Sequence, residues 1–234
     1  LSQEKRFEKE AQSMTQKPLE EEQIQLFFSD IEPLAASKVL VRLENETLSI
    51  GQRILSQGLQ LTVRGQDKIG IIGPNGVGKS TLLAKLHQLL SGKREISLGF
   101  MPQDYQETLQ LDLSPVEFLS QTGHKEEIQK IQSHLASLNF SYPEMHHQIH
   151  SLSGGQQGKL LLLNLVLRKP NFLLLDEPTR NFSPTSQPEI RKLFATYPGG
   201  LVTVSHDRRF LKEVCRSIYH LSENGLEVVD LQDL

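Results

Sequence analysis

Residues Gly73-Pro74-Asn75-Gly76-Val77-Gly78-Lys79-Ser80 fit the pattern G-x-x-x-x-G-K-[ST] without a mismatch. The flanks fit as well. An apolar strand pattern over Lys68–Ile72 leads in, and a helix of roughly Lys79–Leu90 leads out and stops at Ser91-Gly92. The glycines let the backbone curl until successive N–H groups converge on phosphate oxygens. The helix N-terminus adds partial positive charge. Lys79 is placed to reach the β- and γ-phosphates, the Ser80 hydroxyl to ligate Mg²⁺, and Thr81 to extend the cradle. The motif points to a nucleoside triphosphate. By itself it does not choose between an ATPase, a GTPase and a kinase.

Further along, Phe172-Leu173-Leu174-Leu175-Asp176-Glu177-Pro178 sets two carboxylates at the end of an unbroken apolar run, the mark of a buried parallel strand. Ligands of open parallel sheets bind at the carboxyl ends of strands. Asp176 is therefore expected to face the Mg²⁺ site, with Glu177 placed to polarise an attacking water. Leu201–Val204 is a second such run, and it ends in Ser205-His206-Asp207. His206 falls at the same expected sheet edge, within reach of a γ-phosphate oxygen or the water. Leu152-Ser153-Gly154-Gly155-Gln156-Gln157 precedes a helix over Gly154–Lys169 that is apolar on nearly all sides and so should be buried. Ser153 can cap it, and the N–H groups of Gly154 and Gly155 offer a second anion site.

The rest of the chain reads as alternating strands and helices, which argues for an α/β fold. Ile24–Phe28, Val39–Leu43 and Leu59–Val63 have strand character, and Ile218–Leu221 and Leu226–Val229 flank the hairpin signal Asn224-Gly225. Residues 104–152 are more helical. Ser114-Pro115-Val116-Glu117 is a capping box, Ile128, Ile131, Leu135 and Leu138 mark an amphipathic helix, and Ser141-Tyr142-Pro143 suggests a loop. Residues 1–23 stand apart. Ten of them are charged, and Phe7, Ala11 and Met14 mark one helical face. That stretch reads as the tail of a linker helix, ended by Pro18.

Composition narrows the function classes. A net charge of −3 over 234 residues lacks the basic footprint of a dedicated nucleic-acid binder. The longest apolar stretch, Leu160–Leu167, is broken by Asn164 and falls well short of the ~18 residues of a membrane span. No signal-peptide pattern opens the chain. Cys215 is the single cysteine, which excludes an intrachain disulfide and makes the cytoplasm the expected compartment, without direct membrane insertion. Residue 1 is Leu, so the chain is expected to be a piece of a longer one.

Taken together, these motifs resemble the nucleotide-binding domain of ATP-binding cassette (ABC) proteins. The phosphate loop, Gln103 in Phe100-Met101-Pro102-Gln103, the LSGGQ signature, the acidic strand with Glu177 and the SHD segment with His206 stand in family order, over about residues 37–234. The resemblance implies a P-loop NTPase core with a mostly parallel sheet, an antiparallel β subdomain and a small helical subdomain. It implies one cassette over 24–234, with 104–152 as its helical part. ATP and Mg²⁺ are the implied cofactors, with Ser80, Gln103 and Asp176 around the metal, and Gln103 and His206 sensing the γ-phosphate. In this family two cassettes sandwich two ATPs head to tail. Ser153, Gly154 and Gly155 are thereby implied to act on the nucleotide of a second cassette, in the same full-length chain or in a homodimer.

Three features resemble the soluble F branch: the charged stretch before the cassette, Asp176-Glu177-Pro178-Thr179-Arg180-Asn181-Phe182-Ser183 set against that branch's DEPTNHLD, and Val204-Ser205-His206-Asp207-Arg208-Arg209-Phe210-Leu211 set against VSHDRxFL. The implied protein is a ribosome-associated translation factor or an antibiotic-resistance factor that protects the ribosome, with this chain as its second cassette. The D-loop Asp of the family falls at Ser183, and the aromatic that stacks on adenine falls near Ile50. The alternatives are the ATPase subunit of an ABC transporter and a non-hydrolysing ATP-dependent clamp. His146, His147 and His150 are a minor metal candidate that no cysteine supports.

Overall fold

The unbroken apolar runs form the centre of a six-stranded sheet. The computed structural model describes residues 26–233, so the linker-like stretch 1–23 lies outside the described residues. Along the chain come β1 (Val39–Ile50), β2 (Arg53–Arg64), β3 (Lys68–Ile72), α1 (Lys79–Leu90), β4 (Leu98–Met101), α2 (Pro115–Leu119), α3 (Lys125–Ser137) and α4 (Tyr142–His146). They are followed by α5 (Gly154–Arg168), β5 (Phe172–Asp176), α6 (Gln187–Ala195), β6 (Gly200–Val204), α7 (Arg208–Val214), β7 (Ser217–Ser222) and β8 (Gly225–Val229). The sheet order is β4-β5-β6-β3-β7-β8. Its strands run parallel except β8, which turns back on β7 at Asn224-Gly225. β1 and β2 make a separate antiparallel hairpin. A mostly parallel core, an antiparallel β part and a helical part are thus all present.

Side-chain alternation explains why the central strands are apolar throughout. Phe172 and Leu174 of β5 join one core cluster, with Ile69 and Ile71 of β3, Leu82 and Leu86 of α1, and the β1–β2 hairpin. Leu173 and Leu175 join the other, with Leu160–Leu163 of α5, Phe194 of α6 and Phe210 of α7. Successive residues of a strand point to opposite faces, so a sheet covered on both sides needs apolar residues at every position. Glycine stands at two positions where a neighbouring side chain takes the space, Gly70 and Gly99. A Cβ at Gly70 would lie 2.6 Å from Ile218 and 2.7 Å from Leu211, and one at Gly99 would lie 2.6 Å from Leu173.

Residues 104–152 carry α2, α3 and α4. Ser114 caps α2 as expected: its Oγ accepts from the Glu117 N–H, and Glu117 accepts from the Ser114 N–H at 2.8 Å. Ile131 and Leu135 of α3 are buried. The signature helix α5 ends one residue before the expected Lys169, which itself takes a left-handed conformation, φ 51°.

The expectations fail where backbone partners, not composition, decide. Of the expected strand Ile24–Phe28, residues 24 and 25 lie outside the described residues, and 26–28 form no strand. Leu26 and Phe28 pack on the core through their side chains, the Phe28 ring lying 4.8 Å from Tyr197 edge-on. β1 and β2 run well past the expected Val39–Leu43 and Leu59–Val63, because the polar residues between are held by pairing with each other, with a break in register at Asn45, φ 56°. Ser141-Tyr142-Pro143 opens α4 instead of a loop: Glu144 accepts from the Ser141 N–H and closes a capping box. β4, α6 and α7 carry too little periodic pattern to stand out beforehand.

Lys68 is an unusual core residue. It is 7% exposed, and its ammonium donates to the carbonyls of Phe194 and Ala195 at 3.3 and 2.9 Å, the last carbonyls of α6. A cation there offsets the negative helix end. Lys68→Met removes the ammonium from both carbonyls, of which Phe194 keeps the Tyr197 N–H, at a cost of about 1–3 kcal/mol. Melting followed by circular dichroism should show Tm falling by about 2–4 °C for each kcal/mol in a domain of this size. An unchanged Tm would remove this role.

Candidate nucleotide site

The loop after β3 is shaped by three left-handed glycines. Gly73 has φ 148°, and a Cβ there would run into the Leu221 carbonyl oxygen. Gly78, φ 105°, is the N-cap of α1 and lies against Leu55. Gly76, φ 81°, faces open space, which is what close approach of a phosphate to the backbone needs. Lys79 is 8% exposed, and its ammonium donates to the carbonyls of Gly73 and Pro74 at 2.8 and 2.9 Å. An ammonium has three donors, so one is left for a ligand oxygen. Burial lowers the Lys79 pKa, while Glu177 and Asp176 act to hold its proton on.

Asp176, 5% exposed, ends β5, and the Ser80 hydroxyl bonds to its carboxylate. Burial raises the Asp176 pKa, opposed by that hydrogen bond and by the charges of Lys79 and Arg180. Glu177 follows at φ 52°, a left-handed conformation that costs a non-glycine residue about 1–2 kcal/mol. Its N–H donates to the Val204 carbonyl at 2.9 Å, which ties the strained turn to β6. Burial raises the Glu177 pKa, and a hydrogen bond from the His206 backbone opposes it. That N–H lies 3.2 Å from Oε2, and His206 Nε2 lies 3.6 Å from Oε1. The Glu177 side chain is 12% exposed and the imidazole 57%. His206 is held from both sides. Ser205 is fully buried, and Asp207 caps α7 by accepting from the N–H groups of Arg209 and Phe210.

Lys79, Ser80, Thr81, Gln103, Asp176, Glu177 and His206 all line one hollow of about 640 Å³, together with Asn75, Gly76 and Gly78. Gly73, Pro74 and Val77 do not line it. They shape the loop from behind, Val77 as a core residue. Ile50 and Leu55 line the end supplied by the hairpin, and Ile50, which is 62% exposed, stands where an aromatic was absent from the sequence. Arg180 lines the hollow too and was not among the expected site residues. The signal for it was its place four residues after Asp176 in a tight turn.

The signature stands apart from that hollow. Ser153 caps α5, accepting from the Gln156 N–H at 3.3 Å while Gln156 Oε1 accepts from the Ser153 N–H at 2.9 Å. Ser153 and Gly154 are exposed, and a Cβ on Gly154 would meet nothing within 4 Å. Gly154 lines a neighbouring hollow of about 720 Å³ that shares Ser80, Gln103, Asp176 and Arg180 with the first. The Ser80 hydroxyl and the Asp176 carboxylate, joined by a hydrogen bond and with the Gln103 amide lining the same hollow, are the hard oxygen donors that suit Mg²⁺. His146 ends α4 while His150 lies in a separate short turn. Among the described residues, no group of three or more His, Cys, Asp and Glu side chains could hold a metal. Nor is any described helix long and apolar enough to cross a membrane.

Known proteins resemble this chain along most of its length. Residues 56–180 match the family described as "ABC transporter". The "Probable ATP-binding protein YheS" of Escherichia coli (strain K12) is 31% identical over 210 residues, 87% of this chain and 33% of that protein. The "Ribosome protection protein VmlR" of Bacillus subtilis (strain 168) is 30% identical over 232 residues, 97% of this chain and 42% of that protein. F family members from Arabidopsis thaliana are also among the relatives. The chain spans about a third of the length of the first of these relatives. The fold matches the solved "Dimeric Structure of MJ0796, a Bacterial ABC Transporter Cassette", with a TM-score of 0.67 at 20% identity, covering 81% of this chain and 98% of that one. A phosphate loop, an acidic strand end and an SHD turn around one hollow, with the match over residues 56–180, identify the chain as an ATP-binding domain of the ABC family, one whose relatives include F family members.

Proposed function

We propose that this domain binds and hydrolyses ATP as one of a pair of cassettes, in an F-type protein that acts at the ribosome. The observation that carries the chemical half is the strained Glu177. Its carboxylate is held by the His206 N–H on one side of the hollow that Lys79 lines. Water attacks the γ-phosphorus as the bond from phosphorus to the β–γ bridging oxygen breaks, yielding ADP and phosphate. Glu177 orients the water and takes up its proton, which then passes to solvent. The raised pKa that burial gives this carboxyl suits it to that task. Lys79 and the backbone N–H groups from Gly76 to Thr81 offset the charge on the phosphates. His206 and Gln103 contact the γ-phosphate end. Mg²⁺, held by Ser80, Gln103 and Asp176, neutralises charge on the β- and γ-phosphates when bound. Ser153, Gly154 and Gly155 act on the nucleotide of the second cassette, which fits the exposure of Ser153 and Gly154 and the place of all three outside the lining of the chain's own hollow.

The ribosomal half rests on the VmlR resemblance, which covers 97% of this chain. On this reading ATP clamps two cassettes together and fixes the linker for ribosome contact, hydrolysis releases them, and the protein works in the cytoplasm. Stretch 1–23 is the end of that linker and 24–234 the cassette.

Glu177→Gln keeps the phosphate loop intact. It should bind ATP as the parent does, with turnover reduced about a hundredfold or more, measured by phosphate release. Parent-like turnover would take Glu177 out of its role. Phosphate release per mole of the parent chain should rise with protein concentration, because each site needs a second cassette. Concentration-independent turnover at full rate would exclude the paired mechanism. The intact protein carrying Glu177→Gln should pellet with ribosomes in ATP and much less in ADP. Its remaining in the supernatant in both would remove the ribosomal assignment and leave the transporter subunit as the reading to pursue.

A further inference from the structure

The turn after β5 brings a second fixed cation to the hollow. The Arg180 N–H donates to the Glu177 carbonyl at 3.1 Å, so the chain folds back and Arg180 stands beside the carboxylates that precede it. Its side chain is exposed and lines both hollows, whose common wall is Ser80, Thr81, Gln103, Asp176 and Arg180. Its charge reaches the Asp176 carboxyl. The first hollow is therefore lined by two carboxylates, Asp176 and Glu177, and by two cations, Lys79 and Arg180.

These two cations differ. Lys79 is buried, already spends two donors on its own loop, and projects from the end of that loop. Arg180 comes from the turn that follows Asp176 and Glu177, and its side chain is exposed. A guanidinium is always charged and offers a planar fork of donors that matches two phosphate oxygens at once. The phosphate loop holds the inner phosphates through its backbone and α1, so a cation on the Asp176 wall meets the far end of the chain.

We propose that Arg180 is a specificity-determining residue that forks onto the γ-phosphate of the ATP held by its own phosphate loop, so that ATP is favoured over ADP. The inference rests on the nucleotide reading above and deepens it. ADP lacks the group that Arg180 grips, and the residue therefore separates the two nucleotides by affinity. Arg180→Gln keeps a polar side chain and removes the charge. Arg180→Lys keeps the charge and removes the fork.

Calorimetric titration of the full chain with ADP and with the β,γ-imido analogue of ATP, in magnesium, tests this without turnover. Arg180→Gln should weaken the analogue about 10–100-fold and leave ADP within about twofold. Arg180→Lys should recover part of the loss. The residue is exposed, and matching circular dichroism melts would confirm intact folding. Unchanged affinity for the analogue, or an equal loss for both nucleotides, overturns the proposal while the nucleotide site stands. Failure of the parent chain to take up either nucleotide overturns the site reading itself.

Discussion

Parallel strands in register end together, and the chemistry of this domain depends on that. β3, β6 and β5 are paired so that Ile71 lies beside Val204 and Asp176 also lies beside Val204. The residues that follow each strand are then delivered to one edge: Gly73 and its loop after β3, Glu177 after β5, Ser205 and His206 after β6. A slip of one residue in either pairing would exchange the two faces of a strand and drive a leucine or valine into the wrong core. The two apolar clusters that hold the register are therefore also what sets Glu177 against the His206 N–H to within hydrogen-bonding distance.

That edge collects charge whose burial is unfavourable. Asp176 and Glu177 are adjacent, both largely removed from water, and burial raises the pKa of each. Lys79 is pushed the other way for the same reason. A carboxyl whose folded pKa lies above its unfolded value weakens the fold at any pH where it is ionised, and the weakening disappears as pH falls through the folded pKa. The left-handed backbone at Glu177 adds to the cost. Strain and like charge thus meet at one turn, offset by the large apolar clusters on both sides of the sheet.

Local chemistry was legible in the sequence, and long-range pairing much less so. The phosphate loop, the capping box at Ser114, the cap at Ser153, the strand runs of β5 and β6, and the Asn224-Gly225 turn all depend on residues within a few positions of one another. Their bounds were readable for that reason. The outer halves of β1 and β2 mix polar residues with Leu48, Ile50, Ile54 and Leu55 and depend on each other across the hairpin, which no local pattern records. Ile24–Phe28 reads as a strand because apolar residues cluster there, yet in its described part Leu26 and Phe28 dock on the core by their side chains. Among the site residues, Lys79, Asp176, Glu177 and His206 follow from motif and strand end. Arg180 does not, since its position depends on the turn that Glu177 closes.

The signature helix is connected to this edge by packing. Gly158, in the second turn of α5, lies under Phe182: a Cβ there would sit 2.8 Å from the Phe182 ring and 3.1 Å from the Tyr105 hydroxyl. Tyr105 follows Gln103 closely in the chain, and Phe182 closely follows Arg180. One contact thus joins the segment bearing Gln103, the turn after Asp176 and Glu177, and the root of the helix that presents Ser153 and Gly154. A packed core moves between discrete arrangements instead of deforming smoothly. On the proposed reading, a displacement of Gln103 or of the Asp176 turn when the γ-phosphate departs must either carry α5 with it or open a gap at Gly158. Glycine at this position is what lets the three segments approach so closely.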